Sequence, residues 1–570
     1  MASLQRYSVG GRIYYRIVES RRVDGKPRPI PIVHIGSAEE LVNRLLSSGT
    51  AGPSRIRSYQ HGDVAALKAM ADRLAIAPMI DRHVKGSFQK LSVGTALLLA
   101  AINRAVEPCS KRAWSEWAEG TSIHRFFDIK PEQLTSQFFW DRMDEVSASN
   151  LEAIEDELTK KVISEFNLKL DTLFYDTTNF FTFIASDNER SALTKRGHSK
   201  QKRFDLRQFS LGLLVSRDGQ IPLCSHTYEG NVVDCKSFPE SLTKIRRRLE
   251  HVAIALEDIT LVYDKGNNSK KNQTLVDGGE RPLHYVASLV PSQHPDLLGI
   301  PASDYQTATK GYLSGMKVLR CKRTIWGSER TLVLFISEKL RRGQIRGLQQ
   351  HLDKAVTQLE QWQQSLAKPR SGPKTDDNAA KKIDTILSAQ HLKDVLKIEY
   401  NPRRSGIDRL SWHIDAEALE NLHQEVFGKR ILMTDRHDWS DEEIIRAYNG
   451  QSKVEDTFRR IKDPDHLAVR PQYHWTDQKI RVHVFICLLA LMLTRLLERE
   501  SSSHGYKDVT PRLLDLLGTI RLAMVLSPST KKGGRPRCQW QLEDTDQNIR
   551  ALFSKLVPAE QPFVYTPPNT

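Results

Sequence analysis

Cysteine is scarce in this chain, six in 570 residues. None of Cys109, Cys224, Cys235, Cys321, Cys487 and Cys538 forms a C-x2-C pair, and no histidines cluster with them. That argues against zinc centres and a disulfide framework, and for reduced thiols in the cytoplasm. The opening residues, MASLQRYSVGGR, lack the apolar stretch of a secretion signal. A membrane-length apolar run is also missing. Val482 to Leu497 comes nearest, but His483, Thr494 and Arg495 interrupt it, so a buried core helix is expected there. Acidic residues are in deficit, 69 against 84 Lys plus Arg, a formal charge of +15. Such a surplus favours a polyanionic partner, most commonly nucleic acid, although charge alone is weak evidence.

What is present exceeds one compact core, and roughly three or four domains are expected from the length. Residues 12 to 35 alternate as two strands around an Asp24-Gly25 turn flanked by arginines and lysines. From Gly62 to Asn167 the apolar period is helical, with Ser149 or Asn150 as a cap for LEAIEDELTKKVISEF. At Leu170 the period changes. LDTLFYDTTNFFTF reads as a strand with Asp176 in its middle, and QFSLGLLVSRDGQIPLCSHTYEGN as two more. DCKSFPESLTKIRRRL reads as a helix capped by Asp234, and DITLVYDKGNN as a strand ending at Asp264. Strand, strand, strand, helix, strand is the order of a ribonuclease-H-like fold. A fifth strand, LHYVASLVP, follows.

The next stretch, up to Tyr448, holds two strand pairs, a long charged helix from about Gly343 to Ala367 and the linker-like KPRSGPKTDDNAAKK. A loop of that length is implausible inside one domain, so a separate insertion domain is expected. Ser440 and Glu443 form a capping box for a helix that the periodicity carries through to Pro464. On it Tyr448, Gln451, Ser452, Glu455, Arg459 and Lys462 share a polar stripe beside an apolar one of Ala447, Val454, Phe458 and Ile461. A lone Glu on a helix is most often a solvated residue. PRLLDLLGTIRLAMVL reads as one further helix, and KKGGRPRCQW as a basic strand or loop.

The spacing Tyr448-x2-Gln451-x3-Glu455-x6-Lys462 resembles the Tyr-Arg-Glu-Lys region of bacterial insertion-sequence DDE transposases of the IS-four superfamily, with Gln451 where that family usually has Arg. The loop KRGHSKQKRFDLRQ resembles a stretch of the same group. The resemblance implies an α/β fold: a ribonuclease-H-like catalytic core, a mixed sheet flanked by helices, interrupted by a mainly β insertion domain, after a mainly helical N-terminal region. It divides the chain into a basic hairpin segment 1–60, a helical DNA-binding region 61–167, core parts 168–291 and 433–500 around an insertion 292–432, and a C-terminal region 501–570. Asp176, Asp264 and Glu455 are implied as catalytic carboxylates and metal ligands. Tyr448, Gln451, Arg459, Lys462, His198, Lys200, Arg203 and Lys265 are implied as DNA contacts. Relatives use an aromatic residue of the insertion to hold a flipped base, and Trp326, Trp362 and Trp412 are the insertion's tryptophans; core packing is the simpler expectation for them.

Converging carboxylates repel unless hard cations lie between them. The expected cofactor is therefore two Mg2+ ions, with Mn2+ able to substitute, supporting in-line attack on phosphorus without a covalent enzyme–DNA link. The expected activity is binding of the element's terminal inverted repeats, metal-dependent strand cleavage and strand transfer into target DNA. The expected setting is a homodimer on DNA, in the cytoplasm at the nucleoid. A structure-specific nuclease of the same fold, or a non-catalytic DNA-binding descendant, are the alternatives. A glycosidase-type acid pair fits poorly, because the surrounding groups are cationic and not sugar-stacking aromatics.

Overall fold

A computed structural model describes residues 2–10, 12–23, 26–40, 42, 55–84, 91–185, 187–197, 203–252, 259–278, 283–368, 376–467, 469, 472–527 and 536–557. The chain forms two compact units. The first comprises residues 1–233, 240–254 and 452–570, the second 234–239 and 255–451.

The first unit begins with an antiparallel sheet of β1 (Ala2–Val9), β2 (Arg12–Val23) and β3 (Lys26–Ser37), in that order. The expected hairpin is β2–β3; its turn at 24–25 lies outside the described residues. Next come β4 (Arg55–Gln60) and a run of helices whose longer members are α1 (Gly62–Arg73), α2 (Ile76–His83), α3 (Val93–Val106), α4 (Ser136–Asp144) and α5 (Ala148–Phe166). The α5 cap is Ser147, whose hydroxyl accepts from Asn150 N–H at 3.1 Å while Asn150 Oδ1 accepts from Ser147 N–H at 2.9 Å. The helix therefore starts before either residue expected to cap it. β5 (Thr172–Thr182), β6 (Arg207–Ser216) and β7 (Pro222–Glu229) then run antiparallel in sequence. In α6 (Asp234–His251) the N-cap position is held by Val233, so the expectation that Asp234 caps the helix is corrected: it is the first helical residue, where its charge suits the helix N-terminus.

The second unit carries β8 (Thr260–Tyr263), α7 (Lys270–Asp277), β9 (His284–Ser288), β10 (Gln306–Thr307), β11 (Lys317–Ile325) and β12 (Ser328–Ile336). It continues with α8 (Glu338–Leu366), α9 (Asp376–Ile386), the hairpin β13 (Leu396–Tyr400) and β14 (Leu410–Ile414), then β15 (Lys429–Thr434) and α10 (Asp441–Asn449). Its strands lie in the order β10-β11-β12-β15-β9-β8, parallel between β8 and β9 and antiparallel elsewhere, a mixed sheet. Both strand pairs expected in the insertion are present. They do not share a separate sheet: β12 pairs with β15 and β15 with β9, so β11 and β12 prolong the sheet that holds β8. What stands apart is a core built on α8, from Leu348, Leu352, Leu359, Trp362 and Leu366, closed by α9, β13, β14 and Phe427. Helix outweighs strand there, contrary to a mainly β insertion. Trp362 is a core residue of it, stacked on Tyr400 at 5.5 Å.

The chain returns to the first unit through α11 (Ser452–Lys462), α12 (Asp477–Ser503), α13 (Thr510–Gly518), β16 (Arg521–Ser527), β17 (Arg537–Leu542) and α14 (Gln547–Leu556). Among the described residues α12 is the one helix long and apolar enough to cross a membrane, yet 94% of its apolar window is buried. It packs on α1, α3, α4, α5 and α13, the core role expected of residues 482–497. The helix expected over 511–526 is corrected to α13 followed by strand β16, which pairs with both β17 and β4. At the start of α1 a Cβ on Gly62 would stand 2.2 Å from the Leu517 carbonyl of α13, so only glycine permits this approach.

Candidate active site

Asp176 is the fifth residue of β5, half-buried between strand neighbours that are almost all buried. Side chains on a strand alternate, so Asp176, Thr178 and Phe180 share one face. Helix α11 packs against β5. Its last residue, Lys462, donates from Nζ to Thr178 Oγ1 and lies 5.5 Å from the Phe180 ring centre. The face of β5 that bears Asp176 is therefore the face that α11 addresses.

Val454, Thr457, Phe458 and Ile461 bury the inner side of α11. Glu455, seven positions before Lys462, falls on nearly the same helical bearing at 3.6 residues per turn. It is exposed, and its side chain has no ion-pair partner among the described residues. Its neighbour Asp456 differs. Arg460 Nε donates to Asp456 Oδ2 at 3.0 Å, Arg495 reaches the same oxygen at 3.3 Å, and Arg459 pairs with the other oxygen, Oδ1. Burial pushes the Asp456 carboxyl up, and the three guanidiniums more than offset this, holding it below its usual range.

In the second unit Asp264 follows β8 directly, at the C-terminal end of a strand parallel to β9. The Tyr448 hydroxyl donates to Asp264 Oδ1 at 2.9 Å and accepts from Arg430 Nη1 at 3.0 Å. Burial, then the Asp264 charge, raises the Tyr448 hydroxyl well above its usual pKa, so it stays a donor. The Ser440–Glu443 capping box starts α10 as expected, with Ser440 N–H donating to Glu443 Oε2 at 2.8 Å. The single helix expected through to Pro464 is corrected. It breaks at Gly450–Gln451 into α10 and α11. Gly carries the weakest ordinary helix propensity, and here it caps α10. Tyr448 and Gln451 consequently do not share an exposed stripe with Glu455; both are buried, at 6% and 8% exposure.

Among the expected DNA contacts, His198 and Lys200 lie outside the described residues. Arg203 is exposed and donates twice to Asp205, at 2.9 and 2.7 Å, which holds the Asp205 carboxyl down to about 2. Arg459 and Lys265 are exposed. Sequence reasoning missed Thr178 and Arg430. Period two from Asp176 marks Thr178 in advance; nothing in KRILMT marks Arg430 as a partner for Tyr448.

The carboxylates are hard oxygen donors, the chemistry that suits Mg2+ or Mn2+. Asp176 and Glu455 belong to the first unit and Asp264 to the second. Among the described residues no three His, Cys, Asp or Glu side chains gather as a metal-holding group. The donor set fits a hard divalent ion in kind.

No protein-family model matches the chain. No curated protein matches it either. Among solved structures, the cryo-EM structure of a piggyBac transposase synaptic complex with hairpin DNA is similar over 89% of this chain and 89% of that one, at 9% identity and a TM-score of 0.40.

Proposed function

We propose that this protein is a DNA transposase of the DDE type, acting on the ends of its own element, with Asp176, Asp264 and Glu455 as its catalytic carboxylates. The observation that carries the reading is the Lys462–Thr178 contact, which turns the helical face of Glu455 towards the strand face of Asp176. Asp264 closing β8, in the strand order read from the sequence, supports the third position.

Asp176, Asp264 and Glu455 would hold two Mg2+ ions, which supply an activated water or 3′-hydroxyl and stabilisation of the leaving oxygen. Tyr448, pinned by Arg430, fixes the orientation of the Asp264 carboxylate. Lys462 and Arg459 bring cationic charge to the end of α11, where backbone phosphates are neutralised without reading sequence. The protein acts as a homodimer on DNA in the bacterial cytoplasm.

The test combines the purified protein with DNA spanning both borders of its coding region. Mg2+-dependent nicking confined to short inverted repeats, followed by joining to a second DNA, is the expected result. Cutting that ignores the borders makes the protein a nuclease. Repeat protection without cutting makes it a non-catalytic descendant.

A further inference from the structure

Large aromatic side chains are seldom left in water. Among the described residues five are exposed: Phe183, Phe204, Tyr312, Tyr473 and Trp475. Three of the five, Phe183, Tyr473 and Trp475, belong to neighbouring segments of the first unit. Scattered single exposures need no explanation, but a gathered set marks a contact surface.

The two segments are joined by one backbone and one side-chain hydrogen bond. Phe183 N–H donates to the Gln472 carbonyl at 2.8 Å, and Asn188 Nδ2 donates to the Trp475 carbonyl at 2.9 Å. This brings the Phe183 and Tyr473 rings to 5.7 Å. The Arg190 guanidinium stands 5.5 Å from the Trp475 ring centre. Tyr473 is 64% exposed and Trp475 53%, so both side chains keep surface accessible to a ligand beside these contacts. Phe183 is the first residue past β5, the strand that holds Asp176.

We propose that Phe183, Tyr473 and Trp475 form a stacking platform for unpaired bases of a single DNA strand, with Arg190 at its edge for the backbone. Open rings interleaved with guanidinium on a strongly basic chain are the elements of sequence-tolerant single-strand binding, in which each base offers a π-face to an aromatic side chain. Tied segments hold the rings in place before binding, which lowers the ordering cost. The inference rests on the polynucleotide reading above and adds a strand state to it: the DNA is melted next to the cut, and this surface takes the freed bases.

The experiment measures fluorescence anisotropy of full-length protein in chelator with three labelled probes. These are a single strand of about a dozen nucleotides, an abasic deoxyribose-phosphate strand of the same length, and a duplex. The expected wild-type preference is for the base-bearing strand over the abasic one. Tyr473→Ala and Trp475→Ala each weaken the base-bearing strand by about 5- to 100-fold, leave duplex and abasic affinities unchanged, and keep the wild-type melting temperature. Trp475→Tyr restores most of the loss. Equal wild-type affinity for base-bearing and abasic strands overturns the proposal, as does a loss shared by the duplex. No single-strand binding at all overturns it too, and leaves the surface to a peptide or glycan. Chelation keeps the result independent of cutting, so a protein that nicks but shows no base preference fails here alone.

Discussion

The two flanks of α11 treat their carboxylates in opposite ways. Asp456 is enclosed by Arg459, Arg460 and Arg495, and Arg460 and Arg495 are tied in turn to Glu498. Glu455, one residue earlier, faces outward with no such company. A charge satisfied from within the chain is a structural device. A charge kept at the surface, on the side turned to a strand with its own carboxylate, is available to an outside cation. On the proposed function, adjacent positions in the sequence separate into framework and chemistry, and four measurements press on that separation.

The largest effect belongs to the open flank. Glu455→Ala, Asp176→Ala and Asp264→Ala should each reduce Mg2+-dependent nicking to background while DNA affinity stays near wild type, since affinity resides mainly in cationic side chains. Glu455→Ala should also leave the denaturant midpoint nearly unmoved, within about 0.5 kcal/mol. A large loss of stability would place Glu455 with Asp456 in the framework.

On the closed flank, Arg495 is 2% exposed and bonds Gln220 at 2.6 Å besides the two carboxylates. Arg495→Ala leaves those acids without their buried cation and should cost about 3 kcal/mol in urea unfolding. A neutral outcome would mean that the network contributes nothing.

Asp63 sharpens the contrast, being a buried carboxylate without such a cage. Burial raises it to about 6, against hydrogen bonds from Gln60 and Val64 N–H. A folded value above the unfolded one means stability present below about pH 4 and lost as pH rises towards 6. Asp63→Asn should therefore gain on the wild type by about 2 kcal/mol between pH 4 and pH 6, read from paired denaturation curves. A constant difference across that range refutes it.

The smallest effect is expected from Tyr448→Phe, which removes one hydrogen bond to Asp264. Partners behind a metal ligand tune its affinity, so half-maximal nicking should need about tenfold more Mg2+. An unchanged requirement would show that the Arg430–Tyr448–Asp264 chain serves the fold alone.

Much of this was legible in the sequence because period and capping are local. The alternation around Asp176, the strand leading to Asp264, both later hairpins and the Ser440–Glu443 box are all such local signals, and each is present in the fold. The failures share a cause. IRLAMVL has no period that distinguishes a buried strand from a buried helix, and only pairing with β4 and β17 decides it. The break at Gly450 interrupts a pattern whose apolar residues, Ala447, Val454, Phe458 and Ile461, remain buried on both sides of it. Partnerships such as Arg430 with Tyr448 depend on tertiary register, which short windows do not contain.

The pairing of β4 with β16 has a consequence for how the chain is made. Gln60 lies opposite Arg521 and Arg55 opposite Leu526, so this sheet cannot close until the ribosome has released nearly everything between. Contacts of such separation in sequence form late, because the intervening loop must be ordered first. Until then β4 lacks its strand partner in the nascent chain and is open to wrong ones. Synthesis arrested before residue 521 would leave the helices of the first unit able to collapse and that edge unguarded.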